Sequence, residues 1–479
     1  MSLRNTAVSG VIWTFSQQFG VQVIGFLVSI VMARLLLPEE FGLIGMITVF
    51  MALGQSLMDS GLTQSLIRTE YPDQKDYSTV FFFNLGGSIL IYVLLFFIAP
   101  FIAAFYQQEI LTNIIRVYCL SFIITAFSAV QLTRLTKEMN FKLQMIIAIP
   151  SLIISGMIGI ALAHKGFGVW SLVWMQLLQN LLNTLQLWWR TRWVPSFVFS
   201  KEKFRHHLSF GYKLTISGII DTIFQNVYQI IIGKFFIASQ VGFYTRANSL
   251  RQLPVMNLST ALNKVTYPLF ASIQHEDARL KSAYKEIMQM AIFLIAPLLI
   301  ILAVLAEPVF RFLFTEKWLP AVPYFQVLCL AGILYPVHSY NLNVLKVKGR
   351  SDLFLRLEII KKIVIILTIT VTIQFGIIGL IWGQLATSIL AFFINTFYTG
   401  KFLKYSSWEQ TKDIFPIILL AFVVGAVVML MDDWLKSKLV MDLLRVFAGG
   451  VVGGLMYTGI AFILKMDSFK SLKRIILKR

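Results

Sequence analysis

Charge is scarce in this chain: of 479 residues only 14% are Asp, Glu, Lys or Arg, and 57% are hydrophobic. No ordinary water-soluble domain has that balance, so the chain reads as an integral membrane protein. Cysteine is scarcer still. Cys119 and Cys329 both fall in apolar stretches, which excludes a disulfide framework and a Cys-based metal site. The sequence lacks a GxxxxGKS/T phosphate loop, so the chain does not itself use ATP as a P-loop pump does. It also lacks HExxH and paired His or Cys ligands, and neither a metal nor a cofactor is called for. His206 and His207 stand in a basic stretch where solvation is the expectation. Long connecting segments are missing too: each is roughly twenty residues or fewer, too short to carry a soluble active site. A membrane glycan polymerase or ligase needs acids on a substantial outer loop, so the chain is read as a non-enzyme.

What is present is apolar length. The 41 phenylalanines and 10 tryptophans suit lipid-facing surfaces and interfacial belts. Stretches long enough to cross about 30 Å of hydrocarbon predict about fourteen helices, from 10–33 to 440–464. The fold class is therefore an all-α integral membrane protein with two six-helix lobes, 1–200 and 201–405. Residues 406–479 add two further helices and a basic tail. The first span is longer than a signal-peptide core, holds Gln17, Gln18 and Gln22, and lacks a small-residue cleavage site, so it is expected to stay as the first helix. With a cytoplasmic N-terminus, roughly 27 Lys and Arg fall in cytoplasmic segments against roughly 7 outside, which places both termini in the cytoplasm. Much of the +19 net charge is then topology, carried by 190–207 and the tail beside anionic lipid. A nucleic-acid patch would not be scattered between apolar spans, and none is expected.

The halves echo each other at a spacing of 200 residues: ARLLLPEEFGLIG at 33–45 and GKFFIASQVGFYT at 233–245 share a base, three apolar residues, a turn and a glycine, Gly42 or Gly242. Each copy follows the first helix of its half, as parallel repeats with a substrate site between them predict. In those first helices Thr14, Gln18 and Gln22 share one face, and Ser217, Asp221, Gln225 and Gln229 form a similar stripe with Asn226 beside it. Such stripes either join helices by hydrogen bonds or line a hydrated cavity. Asp221 is read as an ion-coupling residue and Asp59 as a coupling or gating residue, or a cap.

The stretch VGFYTRANSLRQLP at 241–254 places two arginines at the start of a predicted span, 243–268. On a helical wheel Arg246 shares a polar sector with Gln252, Asn257 and Lys264, opposite Val255, Leu258 and Leu262, while Arg251 lies about 140° away. Arg246 is accordingly the candidate contact for an anionic ligand, the alternative being a snorkelling anchor near the outer surface. Arg251 is divided between that role and pairing with a partner such as Asp221. Lys264, about 27 Å along the axis, is a gate, a first contact or a positive-inside lysine. Glu358 with Lys361 and Lys362 predicts an internal ion pair, and Arg116 and Arg445 are read as snorkelling or binding.

RLLLPEEFGLIGM, DSGLTQSLI, FYQQEI, GFGVWSLV, RWVPSFVFS, VGFYTRANSLRQLP, YPLFASIQ and GRSD, in that order, resemble the lipopolysaccharide-biosynthesis flippases of the polysaccharide transporter family, closest to the colanic-acid and teichuronic-acid type. The resemblance spans nearly the whole chain. It implies a bilobed transporter in the bacterial cytoplasmic membrane that moves an undecaprenyl-diphosphate-linked oligosaccharide outward by alternating access through a cationic cavity, in company with lipid and other polysaccharide assembly proteins. It also implies that Arg246 or Arg251 fills the place of a cavity base in the eighth helix. Peptidoglycan-precursor flippases of the same superfamily carry arginines in their first two helices, whereas 5–33 and 41–62 here contain neither Arg nor Lys. On these grounds Gln18, Gln22, Gln225, Asn226, Asn257, Lys264, Arg246 and Arg251 are the expected cargo contacts. The alternatives are a multidrug or metabolite cation antiporter of the same superfamily and a membrane glycan polymerase or ligase.

Overall fold

The computed structural model describes the backbone of residues 3–59 and 61–477, and the side chains of 17–58, 61–209, 211–212, 215–260 and 262–474. The described residues are helical and contain no strand. They divide by contact into two compact units, 1–242 and 243–479. The first holds α1 (Leu3–Leu35), α2 (Pro38–Asp59), α3 (Leu62–Arg68), α4 (Gln74–Tyr106), α5 (Ile110–Tyr118), α6 (Leu120–Lys137), α7 (Phe141–His164), α8 (Val169–Thr191), α9 (Lys201–Gln225) and α10 (Val227–Phe235). The long helix α11 (Ala238–Ser272) begins in the first unit and continues into the second. There follow α12 (Asp277–Val304), α13 (Ala306–Phe314), α14 (Val322–Gly332), α15 (Tyr335–Val347), α16 (Ser351–Thr372), α17 (Gly376–Leu403), α18 (Ser407–Ser437), α19 (Asp442–Ile463) and α20 (Asp467–Leu477).

Ten stretches among the described residues are long and apolar enough to cross a membrane, and one of them, 351–403, contains both α16 and α17. The chain is a multi-pass membrane protein. Among the described residues, the long helices α8 and α11 are not apolar enough to join them. They also carry polar groups inward: Asn180 and Asn183 of α8 line a cavity and Arg246 of α11 is buried. Lipid suits the outer faces, as on α4, where Leu90, Phe97 and Phe101 are exposed.

Sequence chemistry sets the helix ends. Asp73 and Asp76 form a reciprocal capping box at the start of α4, with Asp76 N–H donating to Asp73 Oδ1 at 2.8 Å and Asp73 N–H to Asp76 Oδ2 at 2.9 Å. Ser406 and Glu409 do the same for α18. In the first unit small residues let helices approach: a Cβ on Gly156 of α7 would meet Val28 of α1 at 2.8 Å, and one on Gly159 would meet Met175 of α8 at 2.8 Å. Helix α12 is the hub of the second unit, with about two thirds of its most apolar stretch buried, against about a tenth of the corresponding stretch in the described part of α1. Gly425 of α18 sits on Ile300, and Gly449 and Gly453 of α19 sit on Leu305 and Ile301.

The second unit also closes around ions. Arg445 is 2% exposed and grips Asp432 with two hydrogen bonds, at 2.9 and 2.8 Å, and Asp442 with a third at 2.8 Å. A residue expected to snorkel or bind is instead a staple between α18 and α19, because two acids enclose its planar fork.

Candidate functional site

A polar cavity of about 480 Å³ lies in the first unit among α1, α2, α3, α4, α6, α7 and α8. Six amides line it: Gln17, Gln55, Asn84, Gln144, Asn180 and Asn183. Hydroxyls join them from Thr63, Thr125, Ser128, Thr133 and Thr136, over an apolar floor that includes Met58, Ile67, Leu132 and Leu187. No ionisable side chain stands among the described residues that line it. Polar groups inside a membrane unit ordinarily pair with one another. Some do: Gln144 Nε2 donates to Thr136 Oγ1 at 3.1 Å and Gln176 Nε2 to Asn180 Oδ1 at 3.2 Å. Asn84 Oδ1 and Asn183 Oδ1 are buried without a hydrogen-bond partner in the protein, although Asn84 is only 1% exposed.

Gln18 is exposed and Gln22 half-buried, and both line a neighbouring recess of about 570 Å³ with Gln17, Val21 and Ala148. Thr14 lies outside the described side chains, as does Asp59. On α9, Ser217, Asp221 and Gln225 are exposed along one stripe. The stripe does not end alike: Gln229 is buried and donates to Gly45 O at 2.6 Å, so it joins helices. Asn226 marks a break that the sequence reads as one continuous helix. Its Nδ2 donates to Thr222 O at 2.8 Å where α9 gives way to α10.

On α11 a single straight wheel does not describe the surroundings. Gln252, Asn257 and Lys264 are exposed, but Arg246 is 8% exposed, with its guanidinium carbon 5.0 Å from the Phe314 ring centroid and 5.3 Å from that of Trp318. These rings give the buried cation a π-face. Arg251 is half-buried; its Nη2 donates to Asn248 Oδ1 at 2.6 Å, and its stem packs on Gly332. Helix α11 runs unbroken through Pro254. Glu358 and Lys361 pair at 2.5 Å, and Arg116 donates to Phe96 O at 3.3 Å while lying over that ring.

His207 corrects the sequence reading. His206 is exposed, but His207 is fully buried, with Nδ1 2.8 Å from Ser65 Oγ and Nε2 3.2 Å from Asp76 Oδ1. Lys203 completes the knot, donating to Asp76 Oδ2 at 3.0 Å. Burial pushes the imidazole below its ordinary pKa, against the pull of Asp76. Ser65 is itself 3% exposed, so this Ser–His–Asp array is sealed from any substrate and ties α3 and α4 to α9.

Sequence reasoning found the exposed glutamines but missed the amide-lined cavity, because its amides are dealt one or two to a helix. Each helix from α1 to α8 except α5 contributes an amide or a hydroxyl to that lining, a gathering that no single helix displays.

Residues 31–323 match the family described as "Polysaccharide biosynthesis protein". The chain is 27% identical over 430 residues to the teichuronic acid biosynthesis protein TuaB of Bacillus subtilis, covering 89% of each chain. It is 25% identical over 417 residues to the lipopolysaccharide biosynthesis protein WzxC of Escherichia coli, covering 86% of this chain and 84% of that protein. The solved structure of the lipid II flippase MurJ in an inward closed conformation superposes with a TM-score of 0.74, over 95% of this chain and 99% of that one. At 14% identity that likeness shows a shared fold.

Proposed function

Because the chain belongs to the family of polysaccharide biosynthesis proteins, we propose that it is a flippase, translocating a polyprenyl-diphosphate-linked oligosaccharide across the cytoplasmic membrane by alternating access, with both termini in the cytoplasm. The observation that carries this reading is the gathering of intramembrane amides and hydroxyls into a cavity inside an otherwise lipid-facing helical unit. Hydrated cargo needs such a lining, because each unsatisfied polar group carried through hydrocarbon costs several kcal/mol, of order 2–7 by transfer data. The same lining supports a transporter over an enzyme. Among the described residues it holds no acid, base or nucleophile set, and no carboxylate to favour the organic cations of a multidrug antiporter.

In the first unit the proposed cargo contacts are Gln18, Gln22, Gln225 and Asn226, with Asp221 and Asp59 for coupling or gating. In the second they are Asn257, Lys264 and Arg246, with Arg251 divided between that contact and holding its helix in place. Lys264 is already exposed. Arg246 is clasped by Phe314 and Trp318 here, so its contact with a diphosphate belongs to a conformation in which those rings have moved. The lobes 1–200 and 201–405, with 406–479 added, are the repeat units of this proposal. Two negative charges moving outward down an inside-negative potential of about 100 mV release roughly 4–5 kcal/mol, enough to drive much of the export without ATP.

The experiment is leaflet accessibility of a labelled polyprenyl-diphosphate oligosaccharide in proteoliposomes. Protein-dependent movement to the opposite leaflet is the expected result; an unchanged distribution with well-folded protein refutes the flippase.

A further inference from the structure

Resting on the transporter reading for its cargo class, we propose that the amide-lined cavity of the first unit is a saccharide-binding subsite that takes an uncharged, hydroxyl-rich sugar and excludes the anionic part of the same cargo. Four hydroxyls of the lining commit their protons to their own helices. Thr125 donates to Ser121 O at 2.8 Å, Ser128 to Thr125 O at 2.9 Å, Thr133 to Ala129 O at 2.8 Å and Thr136 to Leu132 O at 2.9 Å. What they can present to the cavity is lone pairs. Among the amides of the lining, Asn84 Oδ1 and Asn183 Oδ1 are buried without a protein partner, and both are acceptors as well.

An acceptor-rich wall asks for donors, and sugar hydroxyls supply them. The same hydroxyls accept from amide N–H groups, which the other ends of the asparagines and glutamines provide. A phosphate or carboxylate is acceptor-only when ionised: it can use the amide N–H groups but none of the lone pairs, and no cation among the described lining residues neutralises it. A bare metal ion would welcome carbonyl oxygens, but the volume and the apolar floor do not suit it. About 480 Å³ falls within the ~300–1,000 Å³ typical of small-molecule pockets. Leu132 and Leu187 offer surface for the C–H faces of a pyranose ring. The cavity has room for a small saccharide and not for a whole lipid-linked repeat unit. It therefore reads one part of the glycan, while charge is handled elsewhere on the protein.

The consequence is selectivity. Neutral sugars at the position that enters this cavity are accepted, and a uronic acid at that position is rejected because its carboxylate has no cation among the described lining residues to neutralise it.

The test uses the full chain purified in detergent and saturation-transfer NMR with three probes: methyl β-lactoside, methyl β-glucuronide and tetraethylammonium. We expect saturation of the neutral lactoside, none of the glucuronide, and no displacement by the cation. Asn183→Leu removes an acceptor and should weaken the lactoside about tenfold, the loss of one to two hydrogen bonds. Ala129→Phe fills the cavity, leaves every lining amide in place, and should abolish the lactoside signal. Thermal unfolding of both variants identifies any that fail to fold, and the variant that melts like the wild type decides. Equal saturation by glucuronide, displacement by tetraethylammonium, or lactoside binding unchanged in both folded variants overturns the subsite. Lipid translocation without lactoside binding likewise overturns the subsite and leaves the flippase standing. Lactoside binding without translocation refutes the flippase and leaves the subsite standing.

Discussion

Gly42 and Gly242 meet across the starts of α2 and α11, and the way they meet is reciprocal. A Cβ on Gly42 would stand 2.6 Å from the Ala238 carbonyl carbon and 3.1 Å from Gly242 N, with the Ala238 oxygen closer still. A Cβ on Gly242 would stand 2.8 Å from the Pro38 carbonyl carbon and 3.2 Å from Gly42 N, with the Pro38 oxygen closer still. Positions 42 and 238 thus contact as 242 and 38 do, each pair being the other displaced by 200 residues, which is the behaviour of an isologous contact. The perturbation is Gly42→Ala. Overpacking costs typically 1–3 kcal/mol, and the obstacle here is backbone that cannot swing aside, so about 3 is expected. Alanine returns up to about 1 kcal/mol of helix propensity, leaving a net loss of about 2. Gly242→Ala should cost the same. The double variant should cost clearly less than the sum, with a coupling of roughly 1 kcal/mol or more, because separation of the two backbones to admit one methyl makes room for the second. The assay is chemical denaturation of the four proteins in detergent, followed by tryptophan fluorescence. Gly86→Ala and Gly87→Ala in α4 are the controls, since an added Cβ there meets nothing within 4 Å, and both should hold or gain stability. Unchanged stability in Gly42→Ala, or strictly additive losses, refutes the reciprocal contact.

Other consequences follow from charge. Arg445→Met leaves Asp432 buried beside nothing to neutralise it and should cost about 3–5 kcal/mol, seen as earlier proteolysis in α18 and α19, while Asp432→Leu combined with Arg445→Met recovers much of the loss. His207 is held neutral in the fold, so the unfolded chain takes up its proton first as pH falls. The stability it lends is complete above about pH 6.5 and declines below it by at most about 1.4 kcal/mol per pH unit. Thermal melts from pH 8 to 5 should show that decline, with Lys203, Asp73, Asp76 and His206 left in place, and His207→Gln should flatten it. In the lipid assay Arg246→Ala should abolish translocation by folded protein, whereas Arg251→Ala should mainly lower yield through its lost packing on Gly332; equal transport losses would refute that division.

The helical membrane fold was legible because apolar length and basic connecting segments are properties of single stretches. The contact between Gly42 and Gly242 joins the two glycines of the sequence echo, which by identity alone carried little weight. His207 was misread for the opposite reason. Its neighbours in sequence are charged and wet, and its partners Ser65 and Asp76 lie well over a hundred residues away. Arg246 shows the same limit: a wheel describes one helix, whereas Phe314 and Trp318 arrive from a segment some seventy residues on. Arg445 was more accessible, since Asp442 lies three residues before it and Asp432 one hairpin earlier. The amide cavity could not be drawn on any wheel. It exists only where several helices converge.

The close seating of α18 and α19 on α12 bears on how this architecture can change over evolutionary time. Gly425, Gly449 and Gly453 let these two helices sit directly on Ile300, Leu305 and Ile301, and Arg445 with Asp432 and Asp442 pins their outer turn. Side chains that would otherwise have met lipid now form an interior, free to drift toward shapes and polarities that lipid would not tolerate. Once that drift has begun, the terminal pair is no longer removable. A shortened descendant would first have to resurface α12 residue by residue.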